Sequence, residues 1–205
     1  MSGLPDPEDV QALYDRNAAG FHRVRQGSGM EAGWIARFAG ALPAGAEVLD
    51  LGCGSGEPVA RLLLGHGLRV TGADFAPSML RIAARDLPGA EWVQADMRAL
   101  DLGRRFDGII AWHSFFHLTV SAQRAALPRV LDHLRPGGVL VMTLGTEEGE
   151  TSGHVEGEAV YPASLSEAEY RETLAAAGVA VEAFVHDDPT CGGANVLFAR
   201  RVSGD

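Results

Sequence analysis

Between residues 47 and 144 the sequence repeats one alternation: a short apolar run, a turn, and a stretch with helical spacing. EVLDL (47–51) leads into a helix expected over 57–65, and RVTGAD (69–74) into one over 77–86. EWVQAD (91–96) leads into a short polar connection, FDGIIAWH (106–113) into a helix near 121–134, and GVLVMTL (138–144) into a loop. Parallel neighbours need connections about as long as a helix. Such alternation therefore builds crossover units on a parallel sheet with helices on both faces, an α/β doubly wound fold.

Local chemistry marks the boundaries. Pro58 and Pro77 stand where a first helical turn tolerates a missing N–H, and Ser121 is the expected cap of the helix near 121–134. Leu127, Val130, Leu131 and Leu134 share a helical face, Pro128 predicts a kink within it, and RPGG (135–138) predicts its stop. Residues 145–165 carry five Glu and no Lys or Arg, which reads as loop rather than core. Ser166 and Glu169 form a capping box opening a helix through Ala177, closed by Gly178. VAVEAFVH (179–186) and ANVLFARR (194–201) read as a long hairpin at the sheet edge, joined by DDPTCGG. Residues 6–41 are mostly helical in pattern, anchored by Leu13, Tyr14, Phe21, Trp34, Ile35 and Phe38.

A length of 205 residues suits one sizeable core, so residues 1–205 are expected to form a single domain. No apolar run approaches a membrane span, and MSGLPDPEDV lacks the basic and apolar parts of a signal peptide, so a cytoplasmic protein is expected. Cys53 and Cys191 have no paired metal-ligand spacing and are expected to be free thiols. A net charge of -10, with basic runs no longer than Arg104-Arg105 and Arg200-Arg201, argues against nucleic acid as partner. A small-molecule partner is expected instead.

VLDLGCGSGEP (48–58) turns from the first strand on bare backbone, which lets a ligand approach closely at a helix N-terminus. The dinucleotide pattern G-x-G-x-x-G fails here, because Glu57 or Val59 stands where its third glycine belongs; no Gly-Lys-Ser/Thr follows for a phosphate loop. The stretch does fit D-x-G-x-G-x-G, Asp50 to Gly56. With VTGADFAPSML (70–80), VQADMRAL (93–100) and LRPGGVLVM (134–142) in order, the chain from about residue 40 onward resembles the small, stand-alone class I S-adenosylmethionine-dependent methyltransferases.

That resemblance implies a Rossmann-like, seven-stranded, mostly parallel sheet with an antiparallel last strand, and S-adenosylmethionine as cofactor, leaving as S-adenosylhomocysteine. It implies that Asp74 bonds the ribose hydroxyls, that Asp96 bonds the adenine amino group while Met97 covers the ring, and that Asp50 faces the cationic end of the cofactor. The implied contact set is Tyr14, Arg25, Asp50, Gly52, Cys53, Gly54, Gly56, Asp74, Phe75, Asp96, Met97 and Trp112, beneath a helical N-terminal segment (1–41). His22 and Arg23 are further candidates near the methionine carboxylate.

The acceptor is expected at AWHSFFHL (111–118), where His113 and His117 are candidate bases and Trp112, Phe115 and Phe116 candidate pocket walls. The Asn/Asp-Pro-Pro-aromatic signature of enzymes methylating nucleic-acid bases or protein amides is absent there, which favours a small molecule with an O, N, S or C nucleophile. Residues 145–165 are the expected acceptor lid, with Tyr161 as a pocket residue. Glu147, Glu148, Glu150, His154 and Glu156 are read as a solvated acidic face, with no metal expected. The competing readings are a nicotinamide-dependent oxidoreductase on a related sheet and a non-catalytic relative that only binds the cofactor.

Overall fold

The computed structural model describes residues 5–155 and 157–203. Two helices, α1 (Val10–Arg25) and α2 (Ala32–Gly40), precede the sheet. Then come β1 (Glu47–Leu51), α3 (Val59–Gly65), β2 (Arg69–Asp74), α4 (Pro77–Asp86), β3 (Glu91–Gln94), β4 (Phe106–Ala111), α5 (Val120–Asp132) and β5 (Leu134–Thr143). Four short strands follow, β6 (Gly149–Glu150), β7 (Gly153–Val155), β8 (Glu158–Val160) and β9 (Ala163–Ser164), and then α6 (Glu167–Ala176), β10 (Val179–Asp188) and β11 (Ala194–Arg201).

The main sheet has seven strands in the order β10-β11-β5-β4-β1-β2-β3. β1 to β5 run parallel; β11 is antiparallel to both β5 and β10. β1 therefore has one parallel neighbour reached forward (β2) and one reached across the sheet (β4). That switch point opens a crevice beyond the strands' C-terminal ends.

Strand alternation divides the core into two layers. Leu49, Leu51, Ile109, Ala111, Leu140, Met142 and Leu197 face α5 and α6, whereas Val48, Val70, Ile110, Val139, Val141 and Phe198 face α2 and α3. Both sets are buried. Each such aliphatic side chain contributes about 1.5–3 kcal/mol, which makes the sheet a rigid frame for the loops at its ends. Among the described residues no helix is long and apolar enough to cross a membrane.

Several local expectations need correction. Thr119, not Ser121, caps α5: its extended backbone leaves Oγ1 free to accept from Ala122 N at 3.1 Å, while Ser121 already lies in the first turn. Pro58 is the cap of α3 rather than a first-turn residue, so that helix begins at Val59. RPGG does not follow a helix that reaches Leu134; α5 ends at Asp132 and RPGG is already within β5. The capping box at α6 is half formed. Ser166 Oγ accepts from Glu169 N, but the Glu169 carboxylate turns away to Arg124.

The largest difference lies in 145–165, where two small antiparallel ladders, β6 with β9 and β7 with β8, replace the expected loop. Val160, Tyr161, Ala163 and Leu165 are buried, so the second half of the stretch belongs to the core. Its apolar runs of two or three residues are too short to register as strands; the interior they meet supplies the order.

Candidate active site

The loop leaving β1 is held by its neighbours rather than by its own side chains. Gly52 N and Cys53 N both donate to the carbonyl of Ala73, at 2.7 and 3.1 Å, which ties the turn to the end of β2. Gly52 has φ +73°, and a Cβ there would press on the Ser114 side chain, coming within 2.8 Å of its Oγ. Ser114 Oγ in turn donates to Leu51 O at 2.7 Å. Nothing local to Ser114 in the sequence reveals that it buttresses a loop sixty residues earlier.

Around this turn lies an enclosed pocket of about 170 Å³, and every residue of the expected contact set lines it except Gly56. Gly56 faces inward instead: a Cβ on it would stand 2.7 Å from Leu87 Cδ1 and 2.9 Å from the Trp92 ring, so this glycine serves packing. Asp74 at the end of β2 is buried, and its two oxygens accept from Gly54 N and Ala76 N, each at 2.8 Å. Burial raises its pKa to about 6 despite these bonds. Asp50 is buried at the end of β1 with Oδ2 unpartnered, and burial, followed by the charge of Asp74, raises it to about 8. At neutral pH Asp50 is therefore largely protonated. Burial likewise lifts the Cys53 thiol, and both cysteines are free.

Asp96 lies farther out. Burial alone would raise it, but bonds from the Arg98 side chain and backbone hold it low, and Arg98 also pairs with Glu8 before α1. Trp112 Nε1 is a second buried polar atom without a partner on this pocket's wall.

α1 roofs the pocket. Gln11 Nε2 donates to Phe75 O, Ser78 N donates to Asp15 Oδ1, and Tyr14 OH lies 2.9 Å from His117 Nε2. His22 is buried against Ser55 and Asp86 outside the pocket, Arg23 is exposed, and Trp34 donates to Asp188 Oδ2; none of the three lines the site. Arg25 does line it, paired with the buried Glu31.

A wider cleft of about 790 Å³ opens beside the first. Its walls come from Phe116, Thr143 and the 144–164 segment, and it shares Tyr14, Phe21, Arg25, His113 and His117 with the enclosed pocket. Five side chains thus stand where the two spaces meet. His113 has φ +53°, a conformation costing on the order of 1 kcal/mol, and is fixed by its N–H donating to Thr143 Oγ1 at 2.7 Å. Burial, then Arg25, lowers its pKa to about 4; burial lowers His117 to about 4 as well. At neutral pH both are uncharged imidazoles. Burial raises the Tyr14 phenol. Phe115 is fully buried in the core, and Tyr161 is buried behind the cleft rather than on its wall. Of the acidic residues, Glu148 pairs with Arg124, and Glu156 lies outside the described residues.

Residues 48–138 match the family described as "Methyltransferase domain". A trans-aconitate 2-methyltransferase of Azoarcus sp. (strain BH72) is 42% identical over 108 residues, covering 52% of this chain and 42% of that protein. A dTDP-3-amino-3,6-dideoxy-alpha-D-glucopyranose N,N-dimethyltransferase of Streptomyces fradiae is 36% identical over 141 residues, covering 65% of this chain and 52% of that protein. The chain thus spans about half the length of these curated relatives. Among solved structures, an amino pentose methyltransferase from Micromonospora echinaspora with bound S-adenosylmethionine has a TM-score of 0.68 at 25% identity, covering 98% of this chain and 100% of that one.

Proposed function

Because this chain belongs to the class I S-adenosylmethionine-dependent methyltransferases, we propose that it transfers a methyl group to a nucleophilic atom of a small molecule held in the wider cleft. The observation that carries this reading is the wall of five side chains common to an enclosed pocket and an open cleft. A donor in one and an acceptor in the other would meet there, out of bulk water.

The residues present fit the cofactor. Asp50 Oδ2 and Trp112 Nε1 are buried and unpartnered on the pocket wall, the first suited to a cationic group and the second to an acceptor atom. Gly52 and Gly54 leave backbone bare for close approach. Asp74 retains lone pairs for two hydroxyl donors, and of the other residues lining the pocket we assign Asp96 and Met97 to the adenine ring and Arg25 to a carboxylate. When bound, the cofactor supplies an electrophilic methyl group on a sulfonium sulfur. The chain's part is to align the acceptor with it and keep water away. His113 and His117, uncharged, are assigned to shaping and hydrogen-bonding the acceptor rather than storing its proton.

The same reading takes the chain as one domain working in the cytoplasm on no nucleic acid, supported by two buried free thiols and a net charge of -10. Thermal shift separates it from a nicotinamide enzyme: S-adenosylhomocysteine should raise the unfolding midpoint and NADH should not. Stabilisation by NADH alone sinks the proposal. Labelled-methyl transfer into a small-metabolite extract then distinguishes an enzyme from a binding-only relative.

A further inference from the structure

The wider cleft has a lopsided charge. Among its described lining residues the one permanent cation is Arg25, which already holds Glu31 and also faces the enclosed pocket. Of its three glutamates, Glu148 is neutralised by Arg124 at 2.8 Å, while Glu147 and Glu150 have no ion-pair partner among the described residues. Behind that rim lies the buried Tyr161, its hydroxyl towards the Glu150 carboxylate: burial first and then that neighbour raise its pKa. The same cleft is lined by Phe21 and Phe116, half-buried and apolar.

We propose that the acceptor is a small amine, with its nitrogen side drawn by the Glu147–Glu150 rim and an apolar or aromatic body resting on Phe21 and Phe116. This rests on the methyl-transfer reading and names the acceptor class for it. A carboxylate-rich acceptor would meet two uncompensated like charges and one arginine already paired with Glu31. An alcohol must give up a proton as it attacks, yet the titratable groups at the junction are poor sinks at neutral pH: both imidazoles are held near 4 and Tyr14 is itself a protonated phenol. An amine drawn to the rim as an ammonium can, unlike an alcohol, release that proton to water at the open mouth before its neutral form attacks. Its lone pair forms the nitrogen–carbon bond as the carbon–sulfur bond breaks, the sulfonium charge passes to the alkylated nitrogen, and the resulting ammonium gives its proton to water at the acidic mouth.

Calorimetry on the full chain saturated with S-adenosylhomocysteine, using phenethylamine, phenethyl alcohol and hydrocinnamate as probes of similar skeleton, tests this. The amine should bind at least about tenfold more tightly than the other two, and Glu147→Gln with Glu150→Gln should weaken it about tenfold. The double variant should bind S-adenosylhomocysteine as the parent does, which also shows that it is folded. Equal or tighter binding of alcohol or carboxylate, binding of none of the three, or an amine affinity untouched by the double substitution overturns the proposal. Failure of S-adenosylhomocysteine itself to bind removes the methyl-transfer reading and this one with it.

Discussion

The two spaces that meet at Tyr14 and His117 are built by opposite means. The enclosed pocket is lined by backbone and by buried carboxylates tied to it: Gly52 and Cys53 hang from Ala73, and Asp74 holds both Gly54 and Ala76. The open cleft is bordered by two-residue and three-residue ladders and the charged side chains beside them, among them Glu148 just before β6, paired with Arg124, and Glu158 of β8, paired with Arg16. A main-chain pocket tolerates little change of side chain and recognises one shape. A side-chain cleft can be altered without disturbing the frame, so the first space is suited to a fixed ligand and the second to setting specificity.

Substitutions should respect that contrast. The largest effect is expected from Gly52→Ala, which places a methyl group against Ser114 at a left-handed backbone position. A cost on the order of 3 kcal/mol and a loss of S-adenosylhomocysteine affinity of about a hundredfold or more should follow. Parental affinity in calorimetry would show that the turn is softer than its bonds imply.

Next, Asp74→Ala should weaken cofactor binding by roughly 2–3 kcal/mol, the scale of hydrogen bonds to a charged group. Because Asp74 titrates near 6 and its carboxylate is the form that accepts from hydroxyls, wild-type affinity should fall as pH drops through about 6. A flat profile between pH 5 and 8 excludes Asp74 as the ribose ligand.

Asp50 gives a third test. Its folded pKa of about 8 lies above the ordinary value near 4, so the native state holds a proton that the unfolded chain releases. Asp50's contribution to the stability of the ligand-free protein should therefore decline as pH rises from about 4 to 8, set against the opposite slope that His113 and His117 give below about 6.5. Asp50→Asn should remove that decline, most visibly between about pH 6.5 and 8, while weakening cofactor binding. Urea titrations of both proteins across this range compare the slopes.

Tyr14→Phe should cost about 1 kcal/mol by removing the bond to His117. Smallest of all, Arg16→Ala, which removes the exposed pair with Glu158 but leaves the Asn17 bond in place, should move the thermal midpoint by about a degree or less.

The same contrast explains what could be read in advance. Strands β1 to β5 and the pocket from Asp50 to Trp112 were legible because each depends on residues adjacent in sequence: an apolar run, a turn glycine, an acid at the strand end. Ser114 under Gly52, Glu31 behind Arg25 and Tyr14 against His117 were not, because each pairing spans elements whose distance only the folded sheet sets. The region 145–165 was misjudged for a related reason. Its acidic residues dominate the composition, while the side chains that bury it, Val160, Tyr161, Ala163 and Leu165, alternate over only five residues and across a proline, too short a period to mark a strand.

One consequence follows from the way α1 is fastened. It is bonded to the end of β2 through Gln11 and to the start of α4 through Asp15, and on its other side Arg16 and Asn17 reach Glu158 in β8. A single roof beam thus rests on both chambers. Lifting that beam widens the enclosed chamber and also loosens the β8 wall beside the cleft. Residence times in the two chambers should therefore be linked: a tight occupant of the cleft should slow departure from the pocket, with no contact needed between the two molecules.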